Sequence, residues 1–215
     1  MKITKFGHCC LLIEEKGVRV LTDPGTYTTT QNEIKNIDIV LITHEHADHF
    51  HIDSVKEILK NNPEALIVTN SSVNELLKKE NILNVKVVED GETEVINDLV
   101  LKGFGKEHVE IYKDISRVIN TGYFIGERLY YPGDAFFNPN KQTEILLLPV
   151  QGPWCRVKDS IEFALSLKPK VAIPVHDGQL NEFGYKSINK GAISIALPEN
   201  GINFSVLEIG KEYEF

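Results

Sequence analysis

The sequence predicts an α+β fold in which β-rich blocks alternate with amphipathic helices. Short stretches rich in Val, Ile and Leu recur along the chain, and some are apolar throughout, as in Ile145-Leu146-Leu147-Leu148. Between them lie segments with apolar residues at helical spacing, each of which needs one covered face. Two sheets packed together with helices outside satisfy both requirements. The pattern therefore permits a four-layer αββα sandwich.

The predicted strands and helices follow one another with Gly, Pro and Asn-Asp turns between them. Strands are expected at residues 2–6, 10–14, 18–22, 37–43, 65–69, 85–89, 92–96, 99–104, 117–125, 128–131, 144–149, 171–175 and 203–209. Helices are expected at residues 53–61, from Ser71 or Ser72 onward, at 158–167 and at 185–197. Asp53 is the predicted N-cap of the first helix. Residues 26–36 are polar and aperiodic, so we expect a loop there.

The composition is that of a soluble protein, with 42% hydrophobic and 25% charged residues among 215. This length suits one domain over residues 1–215, built of two similar halves with a boundary near 105–116. The net charge of −8 disfavours a nucleic-acid partner. Three cysteines form no disulfide framework, and we see neither a signal peptide nor a membrane span. We therefore expect a cytoplasmic protein, whose oligomeric state the sequence leaves open.

Four potential metal ligands stand within six residues after one buried strand. The segment is His44-Glu45-His46-Ala47-Asp48-His49, and it follows the apolar run 37–43. His44 and His46 share one side of an extended backbone, whereas Asp48 and His49 lie beyond the turn. Imidazole suits zinc, and a carboxylate suits zinc, iron or manganese. The alternative is a polar loop with surface histidines.

Three further candidate ligands follow other predicted strands. His108 comes after the strand at 99–104, Asp134 follows 128–131, and His176 directly follows 171–175. In layered folds the loops at strand ends converge on functional sites. The alternatives are an exposed loop histidine, a Gly-Asp turn and a hydrogen-bonded core histidine, respectively.

A His-x-His-x-Asp-His segment after a buried strand resembles the signature of the metallo-β-lactamase superfamily. The remaining ligands of that family have counterparts in the same order in His108, Asp134 and His176. The segments Phe6-Gly7-His8-Cys9 and Leu21-Thr22-Asp23-Pro24 look like those of the small, insert-free branch of bacterial and archaeal hydrolases. That branch is similar to L-ascorbate-6-phosphate lactonase and to predicted zinc-dependent hydrolases. The resemblance implies the four-layer αββα metallo-β-lactamase sandwich.

The resemblance also implies a dinuclear zinc site, with Mn²⁺ or Fe²⁺ as other possible metals. His44, His46 and His108 would hold one metal, Asp48, His49 and His176 would hold the other, and Asp134 would bridge them. Such a pair makes hydroxide available near neutral pH and polarises a carbonyl or phosphoryl oxygen. Two catalytic roles are also implied: Asp48 would orient the nucleophile, and His8 would line the site or hydrogen-bond to the substrate. The alternative for His8 is a structural imidazole.

We therefore predict an enzyme, a metal-dependent hydrolase that uses a metal-bound hydroxide on a small ester, lactone or phosphodiester. The alternatives are a metal-binding module without turnover and a diiron redox protein. The redox protein is disfavoured because flavodiiron proteins of this fold carry a carboxylate where His46 stands. The expected partner is a small-molecule substrate, in a pocket framed by residues 26–31, 136–137 and 151–156.

Three residues near this pocket have open roles. Asp23 could orient a metal-bound histidine or form an Asp-Pro turn. Arg156 could bind a phosphate or carboxylate, or lie in solvent. The thiol of Cys155 could be invoked as a nucleophile, but the metal chemistry needs none.

Overall fold

Two seven-stranded sheets face each other between outer helices in this computed structural model, which describes residues 1–113, 115 and 117–215. The strands are β1 (Lys2–Gly7), β2 (Cys10–Glu15), β3 (Val18–Thr22), β4 (Ile39–Leu41), β5 (Leu66–Thr69), β6 (Val85–Val87), β7 (Thr93–Ile96), β8 (Leu99–Phe104), β9 (Gly122–Ile125), β10 (Leu129–Tyr131), β11 (Ile145–Pro149), β12 (Val171–Val175), β13 (Asn203–Phe204) and β14 (Glu212–Glu214). The helices are α1 (Ile52–Asn61), α2 (Ser71–Lys79), α3 (Val157–Leu167), α4 (Glu182–Ser187) and α5 (Ile193–Glu199). The predicted α+β sandwich is confirmed.

The order of strands is similar in the two sheets. The first sheet runs β14-β1-β2-β3-β4-β5-β6 and the second runs β13-β12-β11-β10-β9-β8-β7. The chain passes from the first sheet to the second at residues 88–92, because the β7–β8 hairpin already belongs to the second sheet. The boundary between similar halves near 105–116 stays a prediction. Residues 114 and 116 of that predicted boundary lie outside the described residues.

Alternation along the strands produces three apolar layers. In β2, Leu11 and Ile13 face the opposite sheet, whereas Leu12 faces the helices α1 and α2. In β11, Leu147 belongs to the central layer and Leu146 packs beneath α3. Strand β11 is apolar throughout because both of its faces are covered. Each such buried side chain contributes about 1.5–3 kcal/mol to folding.

The starts of two helices differ from the prediction. His51, not Asp53, is the N-cap residue of α1. Asn70 caps α2 in place of Ser71 or Ser72, and its side-chain oxygen accepts a hydrogen bond from the backbone three residues on. Asparagine serves at an N-cap as well as serine does, so the sequence pattern did not distinguish the two.

Other element boundaries also differ from the prediction. The loop at 26–36 contains a short 3₁₀ helix, Thr30–Glu33, and the strand predicted at 117–125 is only β9. The helix predicted at 185–197 is divided into α4 and α5 by a π-helical turn, Ile188–Ala192. Of the last predicted strand, only β13 forms. The chain later turns at Gly210, with φ of 76°, and β14 then pairs with β1. Along the described chain, no helix combines the length and apolarity needed to cross a membrane.

Candidate metal centre

Strand ends from both sheets bring imidazoles and carboxylates into one cleft. The segment 44–49 follows β4, Asp134 follows β10, His176 follows β12, and His108 lies on the irregular chain after β8. The seven predicted ligands come together there, and His8 joins them from the β1–β2 turn. Two groups, each with ligand atoms within 4.8 Å of one another, are His8, Asp48, His49 and His176, and His44, His46, His108 and Asp134.

Asp134 lies between the two groups and contacts both. Its Oδ2 is 3.2 Å from His108 Nε2 and 3.0 Å from His176 Nε2. Its Oδ1 is 3.1 Å from His49 Nε2. The turn that carries it requires Gly133, because a Cβ there would lie 2.3 Å from the Asn120 side chain. The two oxygens of the Asp134 carboxylate therefore lie close to histidines of both groups.

Outer hydrogen bonds determine which nitrogen of three imidazoles faces the cleft. His49 Nδ1 donates to Asp23 at 2.7 Å. His44 Nδ1 donates to the Thr43 hydroxyl at 3.0 Å, because that hydroxyl gives its own hydrogen to Asp23. His108 Nδ1 donates to the backbone carbonyl of the next residue at 2.5 Å. A neutral imidazole with its proton on Nδ1 keeps a lone pair on Nε2, as a metal ligand must.

Several atoms of the cluster are buried without a hydrogen-bond partner. Among the described residues these include His49 Nε2, Asp134 Oδ1 and both ring nitrogens of His176. His49 Nε2 and Asp134 Oδ1 are 3.1 Å apart and still form no hydrogen bond. An unpaired buried polar atom costs about 1–3 kcal/mol. Atoms that converge without bonding to each other fit a cation between them, so the residues are suited to metal.

Charges within the cleft act differently on its candidate ligands. They keep Asp134 ionised and His44 neutral, whereas Asp134 outweighs the effect of burial on His49 and His176 and raises the pKa of both, that of His176 to about 10. Burial alone favours the neutral acid of Asp134, but His49 and His176 hold the pKa of that carboxyl well below its usual range. Burial, reinforced by His49, lowers the pKa of His44 well below its usual range, so this imidazole stays neutral. Neutral imidazoles with carboxylates suit Zn²⁺, and iron and manganese also accept mixed nitrogen and oxygen ligands.

Asp23 orients the cluster from outside. It is fully buried and accepts hydrogen bonds from His49 Nδ1, from the Thr43 backbone N–H and hydroxyl, and from the Tyr131 hydroxyl. Its open role is therefore that of a carboxylate holding a candidate ligand. Tyr131, at the end of β10, was not singled out from the sequence, since nothing in an apolar strand end marks a hydroxyl for this purpose.

Backbone conformations around the cleft are unusual. The φ angles of His8, Asp23 and His176 are 50°, 33° and 59°, in the left-handed region that non-glycine residues rarely adopt. Each costs roughly 1–3 kcal/mol, and such residues cluster at functional sites.

The predicted pocket residues divide into those that face the cleft and those that do not. Trp154 is buried, and the centroid of its ring lies 5.5 Å from those of both His108 and His176. Arg156 is exposed and pairs with Asp159 at 2.7 Å. Burial raises the pKa of the Cys155 thiol to about 11, which makes it a poor nucleophile.

A four-layer sandwich with a histidine and aspartate cluster at its strand ends defines the class of β-lactamase-like metallohydrolases. The β-lactamase superfamily domain matches residues 2–176, and the chain belongs to the metallo-β-lactamase superfamily. It is 30% identical over 181 residues to the Mycobacterium tuberculosis protein Rv0786c, covering 82% of this chain and 84% of that one.

Two further similarities agree with this assignment. A metal-dependent hydrolase of Thermoplasma acidophilum is 29% identical over 190 residues, which cover 82% of this chain and 83% of that one. The structure of a metallo hydrolase from Ignicoccus hospitalis has the same fold, with a TM-score of 0.76 and 21% identity over 100% of this chain and 98% of that chain. The predicted superfamily and the general class, a metal-dependent hydrolase, are confirmed. Similarity to L-ascorbate-6-phosphate lactonase stays a prediction.

Proposed function

We propose that the chain hydrolyses a small, uncharged ester or lactone at a centre of two metal ions. The observation that carries this proposal is the convergence of buried, unpaired lone pairs on His49, His176 and Asp134. Together with the acceptor state of His44 and His108, it supports one metal in each half of the cluster, with Asp134 between them. His46 and Asp48 complete the two proposed sets.

Bound metal ions would lower the pKa of a shared water and polarise the substrate's carbonyl oxygen, which is the chemistry that ester hydrolysis needs. Zinc fits the donors because imidazoles outnumber carboxylates among them. Manganese and iron accept the same types of ligand, so the metal is part of the test.

Asp48 has a second proposed role, which is to orient the attacking oxygen. It lines the cavity in front of the cluster, and its Oδ2 lies 3.4 Å from His176 Nε2 and 3.2 Å from His8 Nε2. Burial raises the pKa of Asp48, but its close contacts with His176 and His8 outweigh that effect and hold the pKa well below its usual range. It therefore remains a carboxylate that can accept a hydrogen bond from the nucleophile.

The cavity favours an uncharged substrate. It has a volume of about 290 Å³. Besides the candidate metal ligands, Trp154, Ile111 and Pro153 line it and form an apolar wall, and Gln179 contributes a neutral polar group. Among the described residues that line it there is no lysine or arginine. Arg156, which could have met a phosphate, is engaged by Asp159 instead. An acyl group fits this wall better than a phosphodiester does.

Cationic side chains lie in a neighbouring cavity. Lys106 and Arg117 line a space of about 330 Å³, and His108 is the one described residue that also lines the cavity in front of the cluster. Lys106 there lies 3.7 Å from Asp90. A phosphodiester would have to extend past His108 to reach them, so this part of the original prediction is the less favoured one.

A matched substrate panel tests the proposal. Zinc-loaded protein would be assayed with 4-nitrophenyl acetate, δ-valerolactone and bis(4-nitrophenyl) phosphate. We expect kcat/KM for the ester and the lactone to exceed that for the phosphodiester by on the order of tenfold or more. Asp134→Asn should abolish turnover, whereas the exposed Asp98→Asn should retain it.

Three other results would point elsewhere. Preferred turnover of the phosphodiester would contradict the substrate class. Two bound metals with no turnover of any substrate would favour a binding module. Iron with oxygen consumption would favour a diiron redox protein.

A further inference from the structure

His8 differs from other histidines of the cluster in the partner of its outer ring nitrogen. It follows β1 and is only 2% exposed. The backbone N–H of Gly178 donates a hydrogen bond to His8 Nδ1 at 3.0 Å. On the inner side of the ring, His8 Nε2 lies 3.2 Å from Asp48 Oδ2. The ring therefore bridges the loop after β12 and the ligand segment after β4.

The contact with Gly178 determines which nitrogen carries the proton. A backbone N–H can only donate, so His8 Nδ1 must present a lone pair to it. The hydrogen of the neutral ring is then on Nε2, and that N–H donates to Asp48. The opposite arrangement holds for His44, His49 and His108. Their Nδ1–H groups donate to acceptors outside the cluster, and the lone pairs of their Nε2 atoms face the cleft.

We propose that His8 is not a metal ligand but a positioning residue, which holds the Asp48 carboxylate through its Nε2–H. The inference rests on the proposed metal centre. Proximity alone would make His8 a ligand, since it lies within 4.8 Å of the ligand atoms of Asp48, His49 and His176. Ligation through Nε2 would move the ring proton to Nδ1, where it would face the Gly178 N–H across 3.0 Å. The Nδ1–H of His8 and the backbone N–H of Gly178 would then point at each other, and neither would have an acceptor. This cost disfavours ligation by His8.

A buried ion pair holds the loop that presents the Gly178 N–H. Lys5 on β1 donates to both carboxylate oxygens of Asp177, at 2.8 and 2.7 Å, and to the Pro174 carbonyl at 2.8 Å. Both charged side chains are buried, so the pair has little freedom to rearrange. Lys5, near the end of β1, therefore anchors this loop. Three residues later, the same stretch of chain supplies the ring of His8, which the loop orients.

Glycine at position 178 permits this close approach without strain. A Cβ on Gly178 would lie 3.0 Å from both Cβ and Nδ1 of His8. Any side chain there would push the ring away from the N–H that fixes its tautomer.

The protonation pattern of the zinc-loaded protein tests the proposal directly. With ¹⁵N-labelled histidine, NMR spectra that correlate ring nitrogens with ring C–H protons distinguish protonated, unprotonated and metal-bound nitrogens. We expect His8, identified by the signals missing in His8→Gln, to show an unprotonated Nδ1 and a protonated Nε2. A metal-bound Nε2 with a protonated Nδ1 would overturn the proposal.

Zinc affinity measured by chelator competition provides a second test. His8→Phe keeps the ring volume but loses the donor, and we expect two bound zinc ions with the weaker one held about 10–100-fold less tightly. His8→Gln keeps an N–H donor and should recover most of that loss. His51→Gln is the matched control, because His51 lies outside the cluster and contacts Ser54 at the start of α1.

Three results would contradict the proposal. Loss of one zinc ion per chain in both His8 variants, at saturating zinc, would identify His8 as a ligand. Unchanged affinity in His8→Phe would show that the ring does not position Asp48. Failure of the unmodified protein to bind two metals would reject the metal centre itself and this inference with it, which distinguishes that failure from the other two.

Discussion

Replacing Asp23 with Asn should weaken both the fold and the metal site. Each recorded partner of this carboxylate is a hydrogen-bond donor, and the NH₂ group of an amide cannot accept a hydrogen bond from a donor. Asp23 Oδ1 accepts from the Thr43 backbone N–H at 2.8 Å. Its Oδ2 accepts from the Thr43 hydroxyl and from His49 Nδ1, both at 2.7 Å, and from the Tyr131 hydroxyl. The amide group of Asn would turn an NH₂ against at least one of these donors in either orientation.

The structure gives the expected size of the effect. In the less damaging orientation, the NH₂ faces the Thr43 backbone N–H, so one hydrogen bond to a charged acceptor is lost and one buried donor is left unpaired. The first costs about 1.5–3 kcal/mol and the second about 1–3 kcal/mol. With Asp23 at 0% exposure there is no solvent to compensate. We expect the free energy of unfolding to fall by about 3–5 kcal/mol.

The metal site should respond through His49. In this variant, His49 Nδ1 loses its charged hydrogen-bond acceptor, which fixes the orientation and the tautomer of the ring. Such a loss typically weakens metal affinity about 10–100-fold. Urea unfolding of the metal-free protein measures the first effect, and zinc competition with a chelator measures the second.

Asp38→Asn is the matched control for this experiment. Asp38 Oδ2 accepts one hydrogen bond, from the Arg19 backbone N–H at 2.7 Å. Asp38 precedes β4, whereas the ligand segment follows that strand, so Asp38 lies away from the cluster. We expect this variant to lose about 1 kcal/mol of stability and to bind zinc normally. If Asp23→Asn is no less stable than Asp38→Asn and binds zinc like the unmodified protein, Asp23 neither supports the fold nor orients His49.

Three further predictions concern the core, the surface and the substrate wall. Leu147→Ala, between the sheets, should lower the free energy of unfolding by about 2–5 kcal/mol, whereas Leu83→Ala, at a side chain that is 75% exposed, should change it by less than about 0.5 kcal/mol in urea titrations. Hydrogen bonds from Arg128 lower the pKa of Glu144 from 4.5 to about 2, so this pair stabilises the fold above pH 4.5 and ceases to do so as the pH falls towards 2. The stability difference between the unmodified protein and Glu144→Gln, about 0.5–1 kcal/mol at neutral pH, should therefore shrink over that range, and a constant difference would contradict the assignment. Trp154→Leu should raise the KM for the ester several-fold while the zinc content stays unchanged, and an unaltered KM would remove the indole from the substrate wall.

The residues of the cluster could be predicted from the sequence because their chemistry is carried by short, recognisable segments. The apolar run 37–43 predicts a buried strand, and the segment after it supplies candidate ligands at the end of that strand: His44, His46, Asp48 and His49. His108 was harder to place, since an irregular segment after β8 carries it to the cleft.

The contacts that orient these residues could not be predicted, because they join parts of the chain that are far apart in sequence. Asp23 meets Tyr131 across 108 positions, and His8 meets Gly178 across 170. Periodicity reports which face of its own element a residue occupies, and it carries no information about the partner on the opposite sheet.

The ends of elements were less predictable than their existence for a related reason. Asn70 and Ser71 are both good cap residues, and the choice between them depends on where the preceding strand β5 delivers the chain. Strand β14 is three residues long and carries two glutamates, so it has no apolar alternation of its own and forms only by pairing with β1.

The decisive measurement is the metal content of protein purified without chelator. We expect close to two ions of zinc, or of iron or manganese, per chain. We also expect a clear fall in Asp134→Ala, which removes the carboxylate between the two groups, and no fall in Asp98→Asn. Protein that carries no metal, and that binds none when zinc, manganese or iron is supplied, would show that the cluster is not a metal centre.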